Sequence, residues 1–215
     1  MSVWLDAILV LLILTNLRLL GSNRLNACIR TVAFQAILLG VLPLLAQTSG
    51  LTPRILALSA VSIGLKALVL PWLLRRAVRE TAVRHEVEPL VGFTMSLLVG
   101  VLLLGVAIHL SSHLPMPAVG AAQFLIPVAL FTMMVGLFLI ASRVKAVTQV
   151  LGYLATENGI YAFGLAFAVE EPLLVEMGIL LDVFVAVFVM GITIHHISRE
   201  FDHIDTDRLS ALKDV

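Results

Sequence analysis

The chain has 215 residues, 60% of them hydrophobic and 13% charged, with a mean hydropathy of +1.06. Soluble domains run at about 45–50% apolar and about 25% charged, so an ordinary water-soluble domain is excluded and most of the chain must face lipid or other apolar helices. A net charge of zero excludes a global basic field for nucleic acid, and a single cysteine, Cys28, excludes an intrachain disulfide or a Cys-ligated iron–sulfur cluster within the chain.

The first apolar run covers 3–20. No Lys or Arg precedes it, so it lacks the positive n-region of a cleaved signal and reads as a permanent span. Further runs lie near 27–47, 54–74, 90–110, 121–141, 147–169 and 173–197. Each approaches the ~20 residues that cross a ~30 Å hydrocarbon core as a helix. Turn chemistry separates several of them: Gly21-Ser22-Asn23, Thr48-Ser49-Gly50, Pro115-Met116-Pro117 and Glu170-Glu171-Pro172. The runs are continuous rather than alternating, which favours helices over barrel strands. The expected fold is all-α, a polytopic membrane protein with about seven transmembrane helices.

Basic residues set the expected orientation. Arg18, Arg24 and Arg30 flank the first connection, Arg75, Arg76, Arg79 and Arg84 the third, and Arg143 and Lys145 the fifth; Arg199, Arg208 and Lys213 lie in the tail. Arg54 alone lies on the other side, and Lys66 is inside a span. The positive-inside rule then puts the N-terminus outside and the C-terminus in the cytoplasm, across the cell inner membrane. Arg24 and Arg143, Gly40 and Gly159, and Pro53 and Pro172 are each 119 residues apart. That offset suggests a parallel repeat: a first three-helix unit over 1–80, a spacer helix over 81–119, a second three-helix unit over 120–198 and a cytoplasmic tail over 199–215.

Three ionisable residues fall near the middle of spans: Lys66 in the third, Glu157 in the sixth and Asp182 in the seventh. Insertion scales charge roughly 2.5–3.5 kcal/mol for Asp or Lys at mid-bilayer, a cost a pure scaffold has reason to avoid. One reading is that they pair inside the bundle and fix helix packing. The other is a proton relay, since burial makes charged groups easier to neutralise and brings proton exchange towards the working pH. Tyr153, Asn158 and Tyr161 make a polar face of the sixth span around Glu157, and Asn16, Gln35, Ser59 and Ser62 are polar points in the first unit. His195-His196 marks the inner end of the seventh span and is an interfacial pair or a proton entry point. His109 and His113 have the i, i+4 spacing of metal ligands but no third ligand beside them, so no metal site is assigned. Pro43 and Pro71 are expected to kink their helices, and carbonyls freed by Pro71 lie within a turn of Lys66. No phosphate loop and no nucleophile–base pair is present, so no catalytic residue is assigned to the chain.

The run from Ser142-Arg143 through Gly152-Tyr153-Leu154-Ala155-Thr156-Glu157-Asn158-Gly159, followed by Glu176-Met177-Gly178-Ile179-Leu180-Leu181-Asp182, resembles hydrogenase-4 component E. Leu65-Lys66-Ala67-Leu68-Val69-Leu70-Pro71 looks like the third helix of that family, and Asp205-Thr206-Asp207-Arg208-Leu209-Ser210-Ala211-Leu212-Lys213 like its C-terminus. The last three helices also resemble the K subunit of respiratory complex I and the C subunit of multisubunit cation/proton antiporters. Those proteins hold one buried glutamate in the second helix and one in the third. Glu157, displaced by about one turn, answers to the first and the shorter Asp182 to the second, whereas the first unit offers Lys66 and no mid-span carboxylate. The resemblance implies a non-catalytic membrane-arm subunit of an energy-converting hydrogenase or formate hydrogenlyase. Its partners would be antiporter-like and quinone-subunit-like proteins, and the nickel–iron centre and iron–sulfur clusters would sit in partner subunits. A cation/proton antiporter subunit and a purely structural membrane linker are the alternatives.

Overall fold

The computed structural model describes residues 3–46, 56, 59–60, 63–80, 90–114 and 122–167. Five long or medium helices appear where apolar runs predict spans: α1 (Val3–Gly21), α2 (Leu25–Ala46), α4 (Phe93–His113), α5 (Ala122–Ser142) and α6 (Ala146–Phe167). Between α2 and α4, a π-helical segment (Gly64–Val69) leads directly into α3 (Leu70–Glu80). α1, α2, α4 and α5 are long and apolar enough to cross a membrane. Large apolar side chains also point outward along them, among them Val10, Leu14, Phe34, Leu98, Leu102 and Phe124. Water would penalise such a surface and lipid does not, so the chain is a multi-pass membrane protein. The expected seventh span (173–197) and the tail lie outside the described residues.

α1, α2, α6 and α5 form a closed ring in which each helix packs on the next; α5 and α6 make the most extensive contact. α4 lies outside against α1 and α5, and the π-helical segment and α3 lie against α2. The α5–α6 contact is backbone on backbone. A Cβ on Gly136 would collide with Thr156 of α6, and one on Gly152 would sit 2.8 Å from the Ile140 nitrogen and 2.9 Å from the Gly136 oxygen. Small residues permit this approach, which gives van der Waals contact where no hydrophobic driving force separates helix from lipid.

The third helix departs from the expected 54–74. It continues as α3 past Arg75 and Arg76 to Glu80, because Leu, Arg, Ala and Glu are good helix formers and the hydrogen-bond ladder need not stop where apolarity does. The π-helical segment has its own cause. Pro71 carries no N–H and its ring crowds the carbonyl one turn earlier, and just ahead of it the Leu70 N–H bonds to Leu65 O, five residues back.

The connections α1–α2 and α5–α6 meet at one end of the bundle. Arg143 Nη2 donates to Leu20 O at 3.1 Å, and the Leu90 N–H, just before α4, donates to Ser142 O at 2.9 Å. Two apolar clusters fill the interior. One, nearer that end, includes Leu20, Leu25, Ile29, Leu74, Leu139 and Leu151; the other includes Leu5, Leu12, Leu39, Ile126 and Ala162. Polar side chains occupy the depth between them.

Candidate functional site

The polar band begins on α1. Thr15 and Asn16 are one turn beyond Leu12, on the inward face, and Asn16 is fully buried. Asn16 Nδ2 donates to Thr132 Oγ1 on α5 at 2.8 Å. Gln35 on α2, also fully buried, donates through Nε2 to Asn16 Oδ1 at 2.8 Å and to Thr15 Oγ1 at 3.1 Å. The two threonine hydroxyls donate in turn to the backbone, Thr15 to Leu12 O and Thr132 to Val128 O. A neutral network thus ties three helices together. Such contacts in lipid are worth about 0.6–2 kcal/mol each and fix rotation of the helices more than they add stability.

The band continues on α6. Gly159 is pressed against Met133 and Ala129 of α5, so the adjacent Asn158 stands level with Thr132 and therefore with Asn16 and Gln35. Glu157 precedes it, 3% exposed. Across from Glu157 is Lys66, 5% exposed, in the π-helical segment, with Nζ 3.2 Å from Glu157 Oε1. The ammonium also lies 4.9 Å from the centre of the Tyr161 ring, one turn beyond Glu157 on α6. Two of the three mid-span charges expected from the sequence therefore meet, helix to helix, with an aromatic face over the cation.

Several acceptors and donors of the band are under-bonded among the described residues. Neither carboxylate oxygen of Glu157 completes a hydrogen bond among the described residues, and Asn158 Nδ2 and Gln35 Oε1 are likewise buried without a partner there. Burying two opposite charges costs several kcal/mol per ion, and attraction repays this only when the remaining lone pairs are also satisfied. An apolar pair of similar volume would be neutral or about 1–4 kcal/mol more stable. Stability alone is therefore a poor reason for Lys66 and Glu157 to be here.

Other expected residues divide. Tyr161 and Asn158 join the band, whereas Tyr153 is 38% exposed on the outer side of α6 and does not. Asp182 and His195 lie outside the described residues. The His109 and His113 rings pack edge to face with centroids 4.8 Å apart, and no group of three His, Cys, Asp or Glu gathers there among the described residues.

Arg143 was not legible as an interior residue. It reads as one of the cations flanking a connection, yet it is 2% exposed, donates to Leu20 O and lies 5.3 Å from the Phe93 ring. Burial pushes its guanidinium below the usual arginine range, with the Cys28 thiol opposing. It acts as a pin between the two connections. Its only sequence signal is its place at the 119-residue offset from Arg24.

An uncharacterized protein of Mycobacterium tuberculosis, Rv0085, is 34% identical over 204 residues, covering 94% of this chain and 93% of its own length. Hydrogenase-4 component E of Escherichia coli K12 and of Shigella flexneri is 29% identical over 160 residues, 74% of this chain and 74% of its own length. No family model and no solved structure matches the chain.

Proposed function

The chain belongs to the family of Rv0085 and is distantly related to hydrogenase-4 component E, and from that premise we propose that it is a non-catalytic membrane-arm subunit of an energy-converting hydrogenase or related complex. It links neighbouring membrane subunits in the cell inner membrane, C-terminus in the cytoplasm, and carries part of a proton path coupled to redox chemistry in its partners. The supporting observation is the ion pair between Lys66 and Glu157, buried at mid-depth with carboxylate oxygens that complete no hydrogen bond among the described residues. Glu157 is the proton-exchanging group, Lys66 stabilises its charged form, and Asp182 continues the path in the seventh span. Nickel–iron and iron–sulfur centres belong to partner subunits in this reading. The same proposal takes the last three helices to be like the complex I K subunit.

The placement of the pair between two helices also favours a second reading, in which it only locks packing and the chain is a structural linker. Purification of the tagged chain from its native membrane in mild detergent, with mass spectrometry of what accompanies it, tests the assignment. Recovery of nickel–iron hydrogenase and antiporter-like subunits is expected. Recovery of antiporter subunits alone would move the protein to cation exchange, and a chain that purifies alone would overturn the membrane-arm role.

A further inference from the structure

A half-open groove of about 430 Å³ runs along the outer face of α1 and α2. Its rim at the connection end carries Arg18, in the last turn of α1, and Arg30, in the second turn of α2. α1 and α2 are each about as long as the ~30 Å hydrocarbon core, and at 1.5 Å per residue the two arginines stand roughly 5 Å and 8 Å inside their ends, from where a guanidinium on its flexible stem reaches outward to lipid phosphates and glycerol esters. Farther in, the walls are Leu11, Leu14 and Phe34, which are 38%, 55% and 42% exposed and reach roughly 15 Å from the connection. Thr15 and Thr31 form the floor, and their hydroxyls are already committed to backbone carbonyls. Neither arginine forms an ion pair with a carboxylate of the described residues.

Two cations within reach of the headgroups, above an apolar trough about one acyl chain long, define an amphipathic ligand: an anionic head on a hydrocarbon tail. We propose that this groove is a binding site for one anionic phospholipid of the leaflet at the connection end, its phosphate held by Arg18 and Arg30 and its chain laid along Leu11, Leu14 and Phe34. A single arginine near a helix end finds any headgroup by snorkelling. Here two arginines from two helices line one recess, which selects the negative headgroup and places it. The site is independent of the Lys66–Glu157 pair and stands whether or not that pair moves protons.

The test uses the full chain, with whatever partners accompany it, in mixed micelles of dioleoylphosphatidylglycerol and dioleoylphosphatidylcholine, with lipid retained through delipidation counted by native mass spectrometry. The wild-type chain is expected to retain one phosphatidylglycerol with roughly tenfold preference. R18Q/R30Q should lose the preference, and Leu14→Trp, which fills the trough and keeps both arginines, should lose the retained lipid. Equal retention of the two lipids by the wild-type chain would overturn the proposal without reference to any variant, as when an acidic partner segment occupies the groove. Unchanged retention in Leu14→Trp would reduce it to annular lipid. Displacement by millimolar inorganic phosphate would make it an anion site that ignores the tail.

Discussion

The helix pairs α1–α2 and α5–α6 pass through the same depth of the bundle, yet they solve it differently. The first pair is polar and neutral: Thr15, Asn16 and Gln35 form a hydrogen-bonded cluster that also captures Thr132. The second holds a charge, Glu157, whose counter-ion Lys66 comes from a third helix. Packing differs too. Gly136 and Gly152 bring α5 and α6 into backbone contact, while the glycines of the first pair meet side chains of other helices, Gly21 that of Leu97 and Gly40 that of Ile63. A buried polar residue in a membrane helix is therefore not in itself a functional mark. What separates the regions is that the second holds a charge, neither of whose oxygens completes a hydrogen bond among the described residues, whereas the first is neutral and leaves over Gln35 Oε1.

Removing one member of the ion pair should have the largest effect on that contrast. Lys66→Met leaves Glu157 unpaired, and a loss of about 3–5 kcal/mol is expected in detergent-driven unfolding. The double variant K66M/E157L should recover most of it, and a double-mutant cycle measures the coupling. Next comes the backbone contact: Gly136→Ala drives a methyl into Thr156 and should cost about 1–3 kcal/mol by the same assay, whereas Leu17→Ala at a half-buried position of α1 should cost less. Gln35→Leu, which dissolves the neutral cluster, should cost only about 1 kcal/mol and leave proton translocation by the assembled complex intact. Smallest is Arg76→Ala, outside both pairs. It removes an exposed cation 5.8 Å from the Trp72 ring and should shift stability by less than about 1 kcal/mol.

Much of this contrast is readable from residues alone, for physical reasons. Charges and amides are conspicuous in an apolar chain, so Lys66, Glu157, Asn16 and Gln35 stand out, and continuous apolarity places α1, α2, α4, α5 and α6 close to where they form. Which residues meet is not readable. A helix that is apolar all round has no periodic stripe to show its inner face, because lipid and core select alike. Tyr153 thus reads as part of the Glu157 face but turns outward, and Arg143 reads as flanking yet is buried. The π-helical segment that carries Lys66 depends on a local contest between Pro71 and the helical ladder, and hydropathy does not register it.

The most direct test of the central claim, that the Lys66–Glu157 pair handles protons and does not merely hold helices together, is proton translocation by the intact complex carrying K66M/E157Q in sealed vesicles. This variant removes both charges at nearly constant volume. The complex is expected to assemble and keep its redox turnover while the proton gradient is lost. Translocation at the wild-type level by the assembled variant would contradict it and leave the pair as a packing lock.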